Sequence, residues 1–187
     1  SNILVFGDSL SDMGNGKDSV LDVPDVPPYW QGRFSNGPVW IEHVSDEWGI
    51  TTTHGSGSGA GDNRAFGGSQ TGQGYSYLLL PNTGTQINNY LANVQSSIPS
   101  NDVVFLWAGG NDFLYGSGNP TTISQNMASH VRVLEAAGAN RFVVANLPPL
   151  ELTPEGASRS SQQQQSMSND IQSYNSKLAV EMTNLSS

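Results

Sequence analysis

The apolar residues fall into three short, nearly continuous runs, each closing on turn-forming residues. Residues 3–6 run into Gly7-Asp8-Ser9, residues 103–108 into Gly109-Gly110-Asn111-Asp112, and residues 142–145 into Asn146-Leu147-Pro148-Pro149. Runs rich in β-branched and aromatic residues, without alternation, read as strands buried on both faces. Between them the apolar positions change to helical spacing. Asn36-Gly37-Pro38 signals a start with Pro in the first turn, leading through Val39, Trp40, His43, Val44 and Trp48 to a stop at Gly49. Residues 86–95 place Ile87, Tyr90, Leu91 and Val94 on one helical face. Residues 121–137 do so with Ile123, Met127, Val131 and Leu134, stopping at Gly138. A last helix over residues 160–185 carries Met167, Ile171, Tyr174, Leu178 and Met182. The Gly- and Ser-rich stretch 51–74 reads as loop around one short strand near residues 63–66. Strands alternating with helices predict a parallel sheet in an α/β three-layer domain. No repeat or shift of composition divides the chain, so residues 1–187 read as a single domain.

Composition narrows the function. Only 12% of the 187 residues are charged, and 21 are glycine, against roughly a quarter charged in an average soluble domain; polar loops must be long. Seven Lys plus Arg against sixteen Asp plus Glu leave a net charge of −9, with no basic cluster. That field repels phosphate backbones and anionic bilayers, so nucleic acid is not an expected partner. There is no cysteine, which excludes thiol catalysis, thiolate metal sites and disulfides. The apolar runs fall far short of the ~20 residues of a membrane helix. Low charge with abundant Ser, Thr, Asn and Gly suggests a secreted or periplasmic protein. The chain opens directly on a strand without a signal peptide, as a mature form would.

The candidate chemistry sits at the strand ends, where open α/β sheets bind their ligands. Ser9 follows the first run, Gly68 the 63–66 segment, and Asn111 the second run. A serine on a tight turn is held exposed. Its own N–H, the Gly68 N–H and the Asn111 amide would form an oxyanion hole, the requirement of acyl transfer. Other roles are available to these residues. Ser9 could cap a following helix. Asp8 and Asp12 lack calcium-loop spacing and are expected to bind backbone amides rather than a metal. Asp112 could orient Asn111 or cap the next segment. Residues 55–61 alternate glycine without forming a dinucleotide or Walker motif and read as a flexible surface loop. No Gly-x-Ser-x-Gly elbow occurs. Of the aromatic group Tyr29, Trp30, Phe34 and Trp40, Trp40 reads as core, whereas Tyr29 and Trp30 could line a substrate pocket. Residues 162–165 (Gln-Gln-Gln-Gln) read as a solvated helix face, and Asn184-Leu185-Ser186 is a formal glycosylation sequon.

Phe6-Gly7-Asp8-Ser9-Leu10-Ser11-Asp12 resembles the first block of the GDSL lipase/esterase family, the SGNH hydrolases. Asn63-Arg64-Ala65-Phe66-Gly67-Gly68 is similar to the second block and Gly110-Asn111-Asp112 to the third. Gly32-Arg33-Phe34-Ser35-Asn36-Gly37-Pro38-Val39-Trp40 and Leu147-Pro148-Pro149-Leu150 resemble stretches of the secreted, longer-chain branch. The resemblance implies a flavodoxin-like α/β/α architecture and a cofactor-free carboxylic-ester hydrolase. In it Ser9 is the nucleophile, Gly68 and Asn111 are oxyanion donors, and Asp8 and Asp112 support them. The implied substrate is a small-molecule, lipid or acetylated-sugar ester. The family's last block, Asp-x-x-His, supplies the general base, and no Asp-x-x-His occurs here. The chain is thus expected to match the first two-thirds of such a hydrolase. Its final strand and Asp/His loop would lie on a C-terminal segment, a second chain cut from the same precursor or a part absent from these residues. An open groove beside Ser9, or a second polypeptide filling it, is expected. Two alternatives remain: an inactive carbohydrate- or lipid-binding relative, and a lipid acyltransferase using the same serine. A nucleotide-binding protein is nearly excluded, because no phosphate-cradling loop occurs.

Overall fold

The computed structural model describes residues 2–55, 61–93 and 97–186. Strands β1 (Ile3–Gly7), β2 (Val103–Trp107) and β3 (Phe142–Val144) form a parallel sheet in that order. Ile3 aligns with Val103 and Gly7 with Trp107; Val104 aligns with Phe142. The expected short strand near residues 63–66 is present only as a bridged segment. The Val5 N–H donates to Asp62 O, and the Arg64 and Phe66 N–H groups donate to the Val5 and Gly7 carbonyls.

Alternation along the strands divides the core into two layers, as a two-period pleat requires. Leu4, Phe6, Val104 and Leu106 face α2 (Thr83–Asn93), α4 (Pro120–Ala136) and α6 (Ser161–Leu185), meeting Ile87, Met127, Leu134, Ile171, Tyr174 and Leu178. Ile3, Val5 and Phe105 face α1 (Trp40–Trp48) through Val39 and Ile41. Each such side chain stabilises by about 1.5–3 kcal/mol when fully buried. The fold is therefore α/β/α around a parallel sheet. β3 departs from the two-face burial its apolar sequence suggests: Val143 is 44% exposed on the outer strand.

The helix boundaries show which local signals dominate. Ser160 caps α6 by accepting from the Gln163 N–H, while Gln163 reaches back to the Ser160 N–H, a reciprocal capping box. Asn119 caps α4 with Pro120 at its first position. Gly49 ends α1 at φ 63°, a conformation glycine adopts without strain. Pro38 lies just outside α1, which begins at Trp40. α2 starts at Thr83, three residues ahead of the periodic stretch; Val94 and Gln95, placed in that helix by periodicity, lie outside the described residues. Two short helices were not anticipated, α3 (Gly110–Tyr115) and α5 (Pro154–Ala157). No helix among the described residues is long and apolar enough to cross a membrane.

Candidate active site

β1 delivers Ser9 to the carboxyl edge of the sheet. Gly7 lies against the Trp107 carbonyl so closely that any Cβ would collide with it. The chain then turns over residues 9–11, with the Ser11 N–H donating to Asp8 O. No helix follows until Trp40, so Ser9 caps nothing. Its side chain is half-buried, and its hydroxyl makes no hydrogen bond among the described residues.

Gly68 comes from the loop after the bridged segment, at φ +74°, and a Cβ there would lie 2.9 Å from Leu78 Cδ1. Both conformation and space demand glycine. This loop is fastened to the serine loop by Asp12. Its carboxylate accepts the N–H groups of Gly14 (2.8 Å), Gly16 (3.1 Å) and Gly67 (2.8 Å). Asn15 and Asn63, both fully buried, add cross-links. Asn15 donates to Asn63 O and Ala65 O and accepts from the Gly55 N–H; Asn63 donates to Ser11 O. Asp8 and Asp12 thus bind backbone amides, Asp8 accepting from Leu10 N–H at 3.0 Å.

Asn111 is the second residue of α3. One of its amide hydrogens goes to Ser69 O at 2.9 Å, leaving the other free. Asp112 accepts both the N–H and the hydroxyl of Thr71 (2.9 and 2.8 Å), tying α3 to the segment that carries Gly68. His130 closes the chain from α4: its Nε2 lies 2.7 Å from Thr71 O, so that nitrogen must hold the proton. Gln86 was not foreseen. From α2 it donates to Gly7 O and Ser69 Oγ and accepts the Gly7 N–H, joining two of the site's loops. A glutamine on the inward stripe of an amphipathic helix, beside Ile87, was the available signal.

Ser9, Gly68 and Asn111 line one cavity of about 470 Å³. Its walls are mixed: Val23, Pro24, Phe34, Leu78 and Leu114 supply apolar surface, with Tyr29, Tyr77 and Tyr115 beside them and Asp25 among the polar groups. Tyr29 packs against Phe34 with ring centroids 5.9 Å apart. Trp30 is not among the lining residues and instead stacks under the Arg33 guanidinium at 5.1 Å. Trp40 packs against Phe105 and Trp107 and donates to Ser11 Oγ. Residues 56–60 of the glycine-alternating stretch lie outside the described residues.

The carboxylates behind the cavity are perturbed by burial. Desolvation raises Asp8 to about 7, with Asp112 and Asp12 adding like charge and the Leu10 N–H opposing. Desolvation also raises Asp12, to about 6, against its three amide donors, and raises Asp112. Burial pushes His130 down. No histidine lines the Ser9 cavity: His43 is exposed on α1, His54 pairs with Asp18 at 3.3 Å, and His130 is held by Thr71. Among the described residues no group of three or more His, Cys, Asp or Glu is placed to hold a metal ion.

Fold and cavity together define a class: a parallel α/β protein gathering a strand-end serine, a left-handed glycine and an asparagine amide about one cleft. The sequence model of the family described as GDSL-like Lipase/Acylhydrolase matches residues 3–186, and the chain belongs to that family. It is 32% identical over 169 residues to the phosphatidylcholine-sterol acyltransferase of Aeromonas hydrophila, covering 85% of this chain and 48% of the relative. It is 26% identical over 226 aligned positions to a GDSL esterase/lipase of Arabidopsis thaliana, covering 94% and 62%. It is 29% identical over 160 residues to a secreted effector protein of Salmonella typhimurium, covering 83% and 37%. The chain thus spans roughly half the length of the curated relatives it matches.

Proposed function

We propose that this chain carries the nucleophile and oxyanion donors of a secreted or periplasmic serine hydrolase acting on carboxylic esters. The convergence of Ser9, Gly68 and Asn111 on one cavity, with an Asn111 N–H still free, carries this reading. The Ser9 hydroxyl attacks the ester carbonyl carbon as a base takes its proton. The carbonyl electron pair moves onto oxygen, where the N–H groups of Ser9 and Gly68 and the Asn111 amide hold the charge. Collapse expels the alcohol, which recovers the proton, and water repeats the cycle on the acyl-Ser9 ester. The base belongs to a segment outside these residues, an Asp-x-x-His block in the same precursor; the positions of all three histidines away from the cavity support this. The apolar part of the lining, Val23, Pro24, Phe34, Leu78 and Leu114, suits the acyl chain or a lipid alcohol. Acyl transfer to an alcohol instead of water is the second reading, favoured by the acyltransferase among the relatives.

Fluorophosphonate labelling of the active protein, followed by peptide mapping, tests the nucleophile. The expected result is a single adduct on Ser9, with Ser9→Ala losing p-nitrophenyl acetate hydrolysis while remaining folded. Activity of Ser9→Ala within tenfold of the native protein, or an adduct elsewhere, overturns the assignment.

A further inference from the structure

The mouth of the Ser9 cavity displays apolar and aromatic side chains to solvent. Tyr29, Tyr77 and Tyr115, which line the cavity, are 41%, 58% and 48% exposed. Tyr77 and Tyr115 pack with ring centroids 4.8 Å apart and their planes tilted by 46°. Leu10, adjacent to Ser9, is 42% exposed, and Tyr75 and Leu79, flanking the lining residues Tyr77 and Leu78, are 65% and 71% exposed. Further exposed apolar side chains among the described residues are Val20, Leu21 and Val26, in the segment that carries the lining residues Val23, Pro24 and Asp25, and, outside the cavity lining, Trp48 on α1, Val133 on α4, Val143 on β3, Leu152 and Val180 on α6. Clustering, not exposure of single residues, marks an interaction surface.

Leu79 supplies a second, independent observation. It sits at φ +54°, a left-handed conformation that a leucine holds only under strain and that glycine or asparagine would take readily. The turn holding it there is built: the Leu79 N–H donates to Ser76 O, the Ser76 N–H to Leu80 O, and the Leu78 N–H to Ser76 Oγ. A strained, bulky apolar residue kept at a turn tip gains nothing from burial within this chain.

Charge selects the occupant. The cavity lining includes Asp25 and no Lys or Arg. The neighbouring cations are already held by carboxylates: Lys17 by Asp22 at 2.6 Å, Arg33 by Glu42, and Arg159 by Glu155 at 3.7 Å. With a net charge of −9, this face repels anionic headgroups and offers tyrosines suited to the interface between headgroups and acyl chains. We propose that the Tyr75–Leu79 turn and the tyrosine collar seat the cavity mouth on a zwitterionic, phosphatidylcholine-type lipid surface, with Leu79 entering the acyl boundary. An ester presented at that surface then enters directly beside Ser9. In this respect the inference rests on the proposed hydrolase; the docking itself needs no turnover.

Flotation with phosphatidylcholine vesicles tests it, using Ser9→Ala so that binding is read without chemistry. Ser9→Ala is expected to float with the vesicles. Mixing in phosphatidylglycerol should weaken flotation, with salt relieving the loss. The Tyr75→Ser/Leu79→Ser double variant is expected to lower partitioning about tenfold, and Val180→Ser to leave it unchanged. Leu79→Gly keeps the turn without strain and should also reduce binding, so a misfolded double variant leaves the question answerable. No flotation, preference for anionic vesicles, undiminished binding by both Leu79 variants, or self-association of the protein through this turn would overturn the proposal. Flotation without fluorophosphonate labelling of Ser9 would keep the docking surface and remove the hydrolase reading.

Discussion

Asn111 shows how much one side chain has to do. Its amide nitrogen has two hydrogens: one fixes the rotamer through Ser69 O, and the other has no partner among the described residues while Asn111 lines the cavity. The first bond is structural; in the proposed mechanism the second forms to the substrate oxygen and gains strength as charge develops there. Asn111→Ala is therefore expected to lower kcat by roughly 10²–10³ with KM nearly unchanged, read from steady-state kinetics on a soluble ester. A change confined to KM would make Asn111 a substrate-binding residue instead. Asn111→Asp is no substitute, because a third carboxylate would stand beside Asp112 and Asp8, and an ionised one has no hydrogen to donate.

At the scale of elements, the site depends on an arm without regular structure. Residues 8–39 contain neither helix nor strand, unusually long for a connection in a compact domain. Buried polar side chains give the arm its order. Asn15 alone satisfies two carbonyls of the 63–65 segment and the Gly55 N–H. Asn15→Ala leaves three buried backbone groups unpaired, at about 1–3 kcal/mol each. We expect unfolding in urea to show a loss of at least about 2 kcal/mol, and esterase activity to fall with it as Gly68 loses its support. Retained stability would mean that water replaces the amide. Such an arm explains what was legible beforehand. The sheet was visible as unbroken apolar runs, and α1, α4 and α6 because burial imposes a period of 3.6 on apolar residues. Ser9, Gly68 and Asn111 were placed from strand ends and the family blocks. The bonds of Asp12, Asn15 and Gln86 carry no period, for each joins segments 50 or more residues apart. α3 was hidden for a related reason: its six residues begin after left-handed Gly109, and glycines read locally as turn.

For the whole molecule, the buried carboxylates set the response to acid. Asp8 and Asp12 have folded-state values of about 7 and about 6, above the ordinary 3.8, so the native state holds protons that the unfolded chain releases. Their stabilisation is fully present below pH ~4 and is lost as pH rises through about 6 to 7. For Asp8 the shift amounts to roughly 4 kcal/mol. Burial of Asp112 acts in the same direction. His130 opposes it, because its lowered value makes the fold lose stability as pH falls below the ordinary 6.5. Thermal melts are expected to move downward between pH 5 and 8, and Asp8→Asn, which can still accept from the Leu10 N–H, should flatten the decline. A melting temperature that climbs over that interval would place the ionised form of Asp8 in the native state.

The register of the sheet has a consequence in time. β1 is the central scaffold of the serine loop, yet its partner Val103 lies 100 positions after Ile3. A ribosome adding about 5–20 residues per second needs roughly 5–20 s to supply it. Through that interval Ile-Leu-Val-Phe has no β2 to pair with, a sticky segment on a growing polypeptide. Folding slowly at this end should make the nascent chain a client for chaperones that hold extended apolar segments, and slower translation between residues 7 and 103 should lengthen that dependence.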